Sequence, residues 1–137
     1  MLIDTDVAID YLRGISYARR LIAELWRNRR AYLSVISVYE LYIGMRSEEQ
    51  AATEAFINAC QILNVDHWVA QAAADWYRRW RSRGLTLTTA DCLIAGTALV
   101  HGLKIATRNT RHYPDPDLRY DLENFLGENG EAKTFKF

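Results

Sequence analysis

The stretch LIDTDVAIDYL, residues 2–12, joins a short apolar run to two carboxylates and then to a helix-like pattern. Leu2–Asp4 has the length and composition of a buried strand, and the apolar spacing from Val7 onward predicts a helix. Asp4 therefore lies where a strand passes into a helix. Asp4 or Asp6 could cap that helix, or Asp4 could be the first ligand of an acidic metal site. The choice depends on whether other acids occur in the same setting.

The rest of the chain repeats this order of strand and helix. Strands alternating with helices predict βαβ units, and therefore an α/β fold with a central, mostly parallel sheet covered by helices. We expect a single domain over residues 1–126 and a mobile C-terminal tail over 127–137. The predicted strands are Leu2–Asp4, Tyr32–Val35, Gln61–Val65 and Lys104–Thr107, and the predicted helices are Val7–Arg13, Tyr17–Asn28, Val38–Met45, Glu48–Cys60, Trp68–Ser82 and Thr89–His101.

Composition limits the classes of function. The chain has 137 residues, of which 50% are hydrophobic and 25% charged, as in ordinary soluble domains. It has 17 basic and 17 acidic residues, so net charge gives no general attraction to nucleic acid and any basic surface must be local. Cys60 and Cys92 form no CxxC motif, which argues against a zinc site or a disulfide framework. Without a signal-like or membrane-spanning segment, we expect a cytoplasmic protein that does not enter the membrane.

Other polar side chains follow the predicted strands. Glu40 and Asp91 are each predicted in the first turn of a helix, and Asn109 and His112 follow the last strand. Ligands of parallel α/β sheets bind at the carboxyl ends of the strands, so we expect Glu40, Asn109 and His112 near Asp4. Asp91 joins them if the start of its helix is folded to the same edge. The alternative is helix capping, because residues 37–40 and 88–91 both have the spacing of a capping box.

Electrostatics favours a metal site if three acids meet at this edge. Two carboxylates about 4 Å apart repel by roughly 4 kcal/mol at an effective dielectric constant of about 20. A helix dipole stabilises each acid by only about 0.3–1 kcal/mol, which is less than this repulsion, so a bound cation is needed. Oxygen ligands suit Mg²⁺ or Mn²⁺, which would position a phosphate group and activate a water molecule.

Four segments in this order resemble the PIN-domain ribonucleases, and closely their VapC-type toxins of type II toxin–antitoxin systems. They are LIDTD (2–6), SVYELYIG (37–44), TTADCLIAGTA (88–98) and IATRNTRHY (105–113). The resemblance implies a three-layer α/β/α domain that hydrolyses RNA phosphodiester bonds with a water activated by Mg²⁺ or Mn²⁺. It also implies a VapB-type antitoxin as partner and assembly into a homodimer.

The same resemblance assigns roles to residues near the acids. Asp4, Glu40 and Asp91 match the three acids that are both catalytic and metal ligands. Thr5 matches a small hydroxyl residue beside the first acid, and Asp6 adds a supporting carboxylate.

The family usually offers a fourth acid, and this chain departs from that pattern. The matching position holds His112, with Asn109 as the other candidate, and neither supplies a carboxylate. An imidazole there would favour Mn²⁺ over Mg²⁺ or would weaken the site. Asp115 or Asp117 could reach the site instead.

Several other side chains have two interpretations. Arg108 and Arg111 adjoin the predicted site and are candidates for RNA phosphate contacts, whereas the basic runs at 26–30 and 78–83 are interpreted as solvated helix faces. Tyr39 and Tyr42 flank Glu40 and could pack into the core or against a second copy of the chain.

Two other functions compete with the ribonuclease hypothesis. DTDVA, residues 4–8, resembles the start of haloacid-dehalogenase-type phosphatases, but the chain has no Asp-Asp pair and its only lysines are Lys104, Lys133 and Lys136. A PIN-like RNA- or protein-binding module without catalysis is the second alternative, and the missing fourth acid favours it.

Overall fold

A parallel sheet lies at the centre of the computed structural model, which describes residues 1–122. Within these residues the sheet has five strands in the order β3-β2-β1-β4-β5, and every neighbouring pair is parallel. The predicted tail at 127–137 and the predicted domain end at 126 lie outside the described residues. The strands are β1 (Leu2–Ile3), β2 (Tyr32–Ser34), β3 (Gln61–Leu63), β4 (Ile105–Ala106) and β5 (Arg119–Tyr120).

The predicted α/β class and the order of helices are confirmed. Residues 1–122 contain six α-helices, and none of them is long and apolar enough to span a bilayer. They are α1 (Thr5–Leu12), α2 (Ser16–Arg27), α3 (Val35–Gly44), α4 (Gln50–Ala59), α5 (His67–Arg81) and α6 (Thr89–His101), and short 3₁₀ turns occur at Ser47–Glu49 and Thr110–His112.

Successive residues of the central strands point to opposite layers. Leu2 of β1 and Ile105 of β4 pack in a core with α5 and α6, whereas Ile3 and Ala106 pack in a second core with α1 and α2. All four side chains are fully buried. This alternation follows from the two-residue period of a strand, and it confirms the three-layer α/β/α arrangement.

The helix α3 begins earlier than the sequence predicted. Its N-cap is Ser34, whose hydroxyl oxygen accepts a hydrogen bond from the backbone N–H of Ile36 at 3.1 Å. Ser37 therefore lies inside the helix, and Glu40 belongs to its second turn. The predicted capping box at 37–40 is wrong, because the residue that ends β2 already caps the helix.

Close contact between α5 and α6 fixes the start of α6. Gly96 lies against the backbone of α5, and a Cβ atom there would be 2.7 Å from the carbonyl oxygen of Val69 and 2.9 Å from the nitrogen of Ala73. A residue without a side chain is needed at this crossing. The first turn of the same helix carries Asp91, whose carboxylate lies beside His112 in the second 3₁₀ turn.

Candidate active site

Asp4 links β1 to α1 and is held by three neutral donors. It is 5% exposed and is the N-cap of α1. Its Oδ1 accepts hydrogen bonds from the backbone N–H of Thr5 at 2.9 Å and from the hydroxyl of Tyr113 at 3.1 Å. Its Oδ2 accepts a hydrogen bond from the hydroxyl of Thr107 at 2.7 Å. Asp4 therefore caps α1, and because the cap bond uses only part of one oxygen, capping does not exclude a role in a metal site.

Asp6 lies in the first turn of α1 and meets the loop that follows β4. Its Oδ1 accepts a hydrogen bond from the backbone N–H of Val7, and its Oδ2 accepts one from the backbone N–H of Arg108, both at 2.8 Å. The guanidinium group of Arg108 is instead paired with Asp10. Two main-chain N–H groups thus hold the Asp6 carboxylate.

Glu40 reaches the site through Thr5. The Thr5 hydroxyl donates a hydrogen bond to Glu40 Oε1 at 2.8 Å and lies 3.0 Å from the hydroxyl oxygen of Ser37, with which it is also hydrogen-bonded. Because Thr5 directly follows Asp4, this contact joins the second predicted acid to the first.

Asp91 approaches from α6. The Thr88 hydroxyl oxygen caps the helix by accepting a hydrogen bond from the backbone N–H of Asp91 at 3.2 Å. The Asp91 carboxylate does not complete a capping box, because its Oδ2 lies 3.2 Å from Nδ1 of His112. His112 is therefore next to an acid of the site, as its position in the sequence predicts.

Burial and mutual repulsion raise the pKa values of these groups. Burial, and then the charge of Asp6, raise the pKa of Asp4 to about 7 despite its three hydrogen bonds. Burial also raises the pKa of Asp6, although the backbone N–H of Arg108 opposes the shift. Burial and the charges of Asp4 and Asp91 raise the pKa of Tyr113, so this phenol stays a proton donor. Perturbed carboxylates of this kind are typical of functional sites.

The donor set suits a hard divalent cation. The ligands at hand are carboxylate oxygens, and the groups bonded to the buried Asp4 are neutral. Within residues 1–122, no three side chains from His, Cys, Asp and Glu are arranged to hold a metal ion. Mg²⁺ commonly binds through only one or two carboxylates and keeps several of its waters. The interacting pair of Asp4 and Asp6 could supply those carboxylates. The three-ligand set of Asp4, Glu40 and Asp91 stays a prediction.

The remaining predicted residues lie at the edge of the site or away from it. Asn109 is exposed, and its backbone N–H donates a hydrogen bond to the Thr107 hydroxyl oxygen at 3.0 Å. Arg111 is exposed in the same turn as His112. Asp115 forms an ion pair with Arg79 at 3.6 Å instead of joining the acids.

Tyr39 and Tyr42 are exposed on α3, so the alternative that they pack into the core is wrong.

Three supporting residues were not anticipated from the sequence. Thr107 and Tyr113 hold Asp4, and the buried carboxylate of Asp10 holds Arg108. Thr107 and Tyr113 both lie inside the segment IATRNTRHY. Thr107 directly follows the buried strand β4, and a polar residue in that place could have been recognised from the sequence as a candidate. Asp10 lies in the opening stretch, one helical turn after Asp6.

Known proteins are similar to this chain in sequence and in fold. A sequence profile of the PIN domain matches residues 1–114. Ribonuclease VapC19 of Mycobacterium tuberculosis is 40% identical over 120 residues, which cover 86% of this chain and 96% of that protein.

Solved structures give the same fold. The DNA-bound VapBC structure from Salmonella typhimurium has a TM-score of 0.76 at 24% identity, covering 86% of this chain and 93% of the other. A toxin–antitoxin complex from Klebsiella pneumoniae has a TM-score of 0.66 at 25% identity, covering 99% of this chain and 98% of the other.

Proposed function

The chain belongs to the PIN-domain family, in its VapC branch, and on this premise we propose that it is a metal-dependent ribonuclease neutralised by a VapB-type antitoxin. It hydrolyses RNA phosphodiester bonds and acts in the cytoplasm. The observation that carries the proposal is the interacting pair of acids Asp4 and Asp6 at the end of β1, with Glu40 hydrogen-bonded to the intervening Thr5. Asp4 and Asp6 interact directly, Thr5 joins Glu40 to Asp4, and Asp91 lies close enough to raise the pKa of Tyr113.

Mg²⁺ or Mn²⁺ is the cofactor that this donor set supports. Asp4 and Asp6 would hold the ion, and Glu40 and Asp91 would complete the acidic pocket. A bound divalent ion lowers the pKa of an attacking water and neutralises charge on the phosphate group. In the described residues no Lys or Arg side chain lies within ion-pair distance of these four carboxylates, whereas His112 Nδ1 lies 3.2 Å from Asp91 Oδ2.

The chain's own residues orient the pocket. Thr107 and Tyr113 donate to the two oxygens of Asp4 as neutral groups, so they favour its charged form without adding a competing positive charge. The Thr5 hydroxyl fixes one oxygen of Glu40 and leaves the other available to a water molecule. Supporting bonds of this kind set the direction of the ligands.

The antitoxin is the proposed partner at a cleft next to Glu40. This cleft has a volume of about 550 Å³ and lies between α1, α3 and α4. Its apolar wall includes Ile9, Leu12 and Leu41, and its rim carries Arg13 and Arg46. A segment bound there could reach the acidic pocket and block it.

The competing functions make different predictions. The phosphatase hypothesis is wrong, because the family match and the fold assign the chain to the PIN domains. The non-catalytic binding module remains the alternative, since His112 and Asn109 supply no fourth carboxylate.

The decisive experiment is RNA cleavage by the purified chain, freed of any partner, with Mg²⁺ or Mn²⁺. EDTA should abolish cleavage, and Asp4→Asn should lower the rate by more than the roughly 10–100-fold that loss of a supporting residue costs. Asp75→Asn, which alters an exposed carboxylate on α5, is the matched control and should cleave as wild type does. Equal rates for folded Asp4→Asn and wild type, or no cleavage by folded wild type on varied RNAs, would favour the binding module.

A further inference from the structure

Asp10 is a buried acid that the proposed chemistry does not use. It is 6% exposed and lies on α1, one helical turn after Asp6. The hydroxyl of Tyr17 donates a hydrogen bond to its Oδ2. The guanidinium group of Arg108 meets both of its oxygens, with Nε 2.6 Å from Oδ2 and Nη2 3.2 Å from Oδ1. A carboxylate held in this two-point manner fixes the direction of the arginine as well as its charge.

Arg108 belongs to a short turn whose polar groups serve the two acids. Its backbone N–H donates a hydrogen bond to Asp6 at 2.8 Å. The preceding residue, Thr107, donates its hydroxyl hydrogen bond to Asp4 at 2.7 Å. Residues 108–110 are exposed, so little packing holds this turn. Its exposed part is therefore held by hydrogen bonds, both within the turn, as from the Asn109 N–H to Thr107, and from the turn to the residues of α1.

Two of those bonds come from the same face of α1. Asp6 binds the main chain of Arg108, and Asp10, four residues later, binds its side chain. Residues four apart are neighbours on a helix surface, so the turn is attached to α1 at two adjacent points. One attachment is at an acid of the site and the other is outside it.

We propose that Asp10, oriented by Tyr17, is a positioning residue that anchors Arg108 and thereby sets the turn that binds Asp4 and Asp6. This inference rests on the proposed ribonuclease function. It also changes the role of Arg108, which the sequence predicts as an RNA contact. The guanidinium group of Arg108 is paired with Asp10, so Arg108 acts on the reaction through its backbone N–H, which donates to Asp6.

Asp10→Asn and Arg108→Gln test the proposal, singly and combined, with Glu24→Gln as control. Glu24 pairs with Arg27 at 2.5 Å on the exposed face of α2, so its change removes an ion pair of the same type far from the site. Each single variant should lower kcat by about 10–100-fold with unchanged KM, as loss of an outer-shell partner does. The double variant should be no slower than the slower single variant, because both changes break one anchor. The Glu24→Gln protein should keep the wild-type kcat.

A second readout does not require cleavage. The backbone amide of Arg108, which is bonded to Asp6, should exchange its hydrogen faster in Asp10→Asn and in Arg108→Gln than in wild type, as followed by nuclear magnetic resonance. If wild type cleaves no RNA, the proposed function fails, and this exchange still decides whether Asp10 positions the turn. If Asp10→Asn does not fold, Arg108→Gln tests the same anchor from its exposed end.

Three results would overturn the proposal. Unchanged amide exchange in a folded variant would mean that Asp10 does not hold the turn. A higher KM in Arg108→Gln, with wild-type kinetics in Asp10→Asn, would return Arg108 to a direct RNA contact. A lower melting temperature with unchanged kcat in both variants would reduce the pair to a structural role.

Discussion

The hydroxyl of Tyr113, whose side chain is fully buried, donates a hydrogen bond to Oδ1 of Asp4 at 3.1 Å. The two residues are 109 positions apart in the chain, so the contact exists only because β1 and β4 are neighbours in the sheet. A neutral donor stabilises the charged carboxylate without competing with a cation. This bond lowers the pKa of Asp4 against the larger effect of burial.

Replacing Tyr113 by Phe should impair the site while keeping its shape. Loss of a hydrogen bond to a charged group should lower the free energy of unfolding by roughly 1.5–3 kcal/mol. The pKa of Asp4 should rise, so the acid limb of the pH–rate profile should move to higher pH. Chemical denaturation and cleavage rates measure the two effects. Tyr32→Phe is the control, because no hydrogen bond to the Tyr32 hydroxyl is found in residues 1–122. Equal effects of Tyr113→Phe and Tyr32→Phe would contradict the prediction.

The elevated pKa of Asp4 predicts how stability depends on pH in protein treated with EDTA. The folded-state pKa is about 7, whereas an unfolded Asp titrates near about 4. Between these values the folded protein binds the proton more tightly. The contribution of Asp4 to stability is therefore fully present below pH ~4 and is lost as pH rises through ~7.

The measurement compares Asp4→Asn with wild type by thermal unfolding over that pH range. The variant cannot titrate at this position, so its melting temperature relative to wild type should rise steadily from pH ~4 to pH ~7. Mg²⁺ or Mn²⁺ added at neutral pH should stabilise wild type more than the variant. Parallel curves for the two proteins would show that Asp4 does not titrate as proposed.

The fold was predictable where local pattern decides it. Three of the five strands within residues 1–122, β1, β2 and β4, stand out as short apolar runs because they lie inside the sheet. The edge strand β3 was also predicted, although Gln61 and Ile62 are exposed. The fifth, Arg119–Tyr120, has two partly buried residues at the edge of the sheet and no such pattern. The start of α3 was misplaced because Ser34 and Ser37 are both good caps, and only the end of β2 chooses between them.

The sequence suggested the acids proposed for the site, but it did not suggest the groups that hold them. Asp4, Glu40 and Asp91 belong to recognisable motifs, and Asp4 lies where β1 passes into α1. Thr107 meets Asp4 across 103 residues and Arg108 meets Asp10 across 98, and no local spacing encodes those pairs. They depend on which strands become neighbours and on the angle at which α1 leaves the sheet.

Gly96→Ala should destabilise the protein by forcing α5 and α6 apart. An added Cβ would lie 2.7 Å from Val69 O, and overpacking of this kind costs about 1–3 kcal/mol. Because the start of α6 carries Asp91, cleavage should also slow in protein that remains folded. Denaturant unfolding measures the first effect. Gly44→Ala is the control, since its Cβ would meet nothing within 4 Å, and a similar loss there would contradict the role of the crossing.

The exposed apolar face of α3 predicts a homodimer. Tyr39 and Ile43 are 63% and 66% exposed, and Tyr42 adds to the same face. Residues four apart share a helix face, so these side chains form one contiguous surface that a second copy could cover. Light scattering should give the mass of a dimer for wild type and of a monomer for Tyr39→Ser/Ile43→Ser. Trp68→Ser, which removes an exposed aromatic from α5, should stay dimeric; a monomeric wild type would refute the prediction.

His112 should set the metal preference of the enzyme. Its Nδ1 lies 3.2 Å from Oδ2 of Asp91, at the position where the family usually has a fourth acid. Imidazole is a softer ligand than carboxylate, so wild type should cleave faster with Mn²⁺ than with Mg²⁺. His112→Asp should shift the preference toward Mg²⁺, because a carboxylate suits the harder ion, whereas His112→Ala should lower activity with both ions. The ratio of cleavage rates in the two metals is the readout, and Arg111→Ala, in the same exposed turn, should leave that ratio unchanged. A ratio that is equal in wild type and His112→Asp would mean that His112 does not act on the metal.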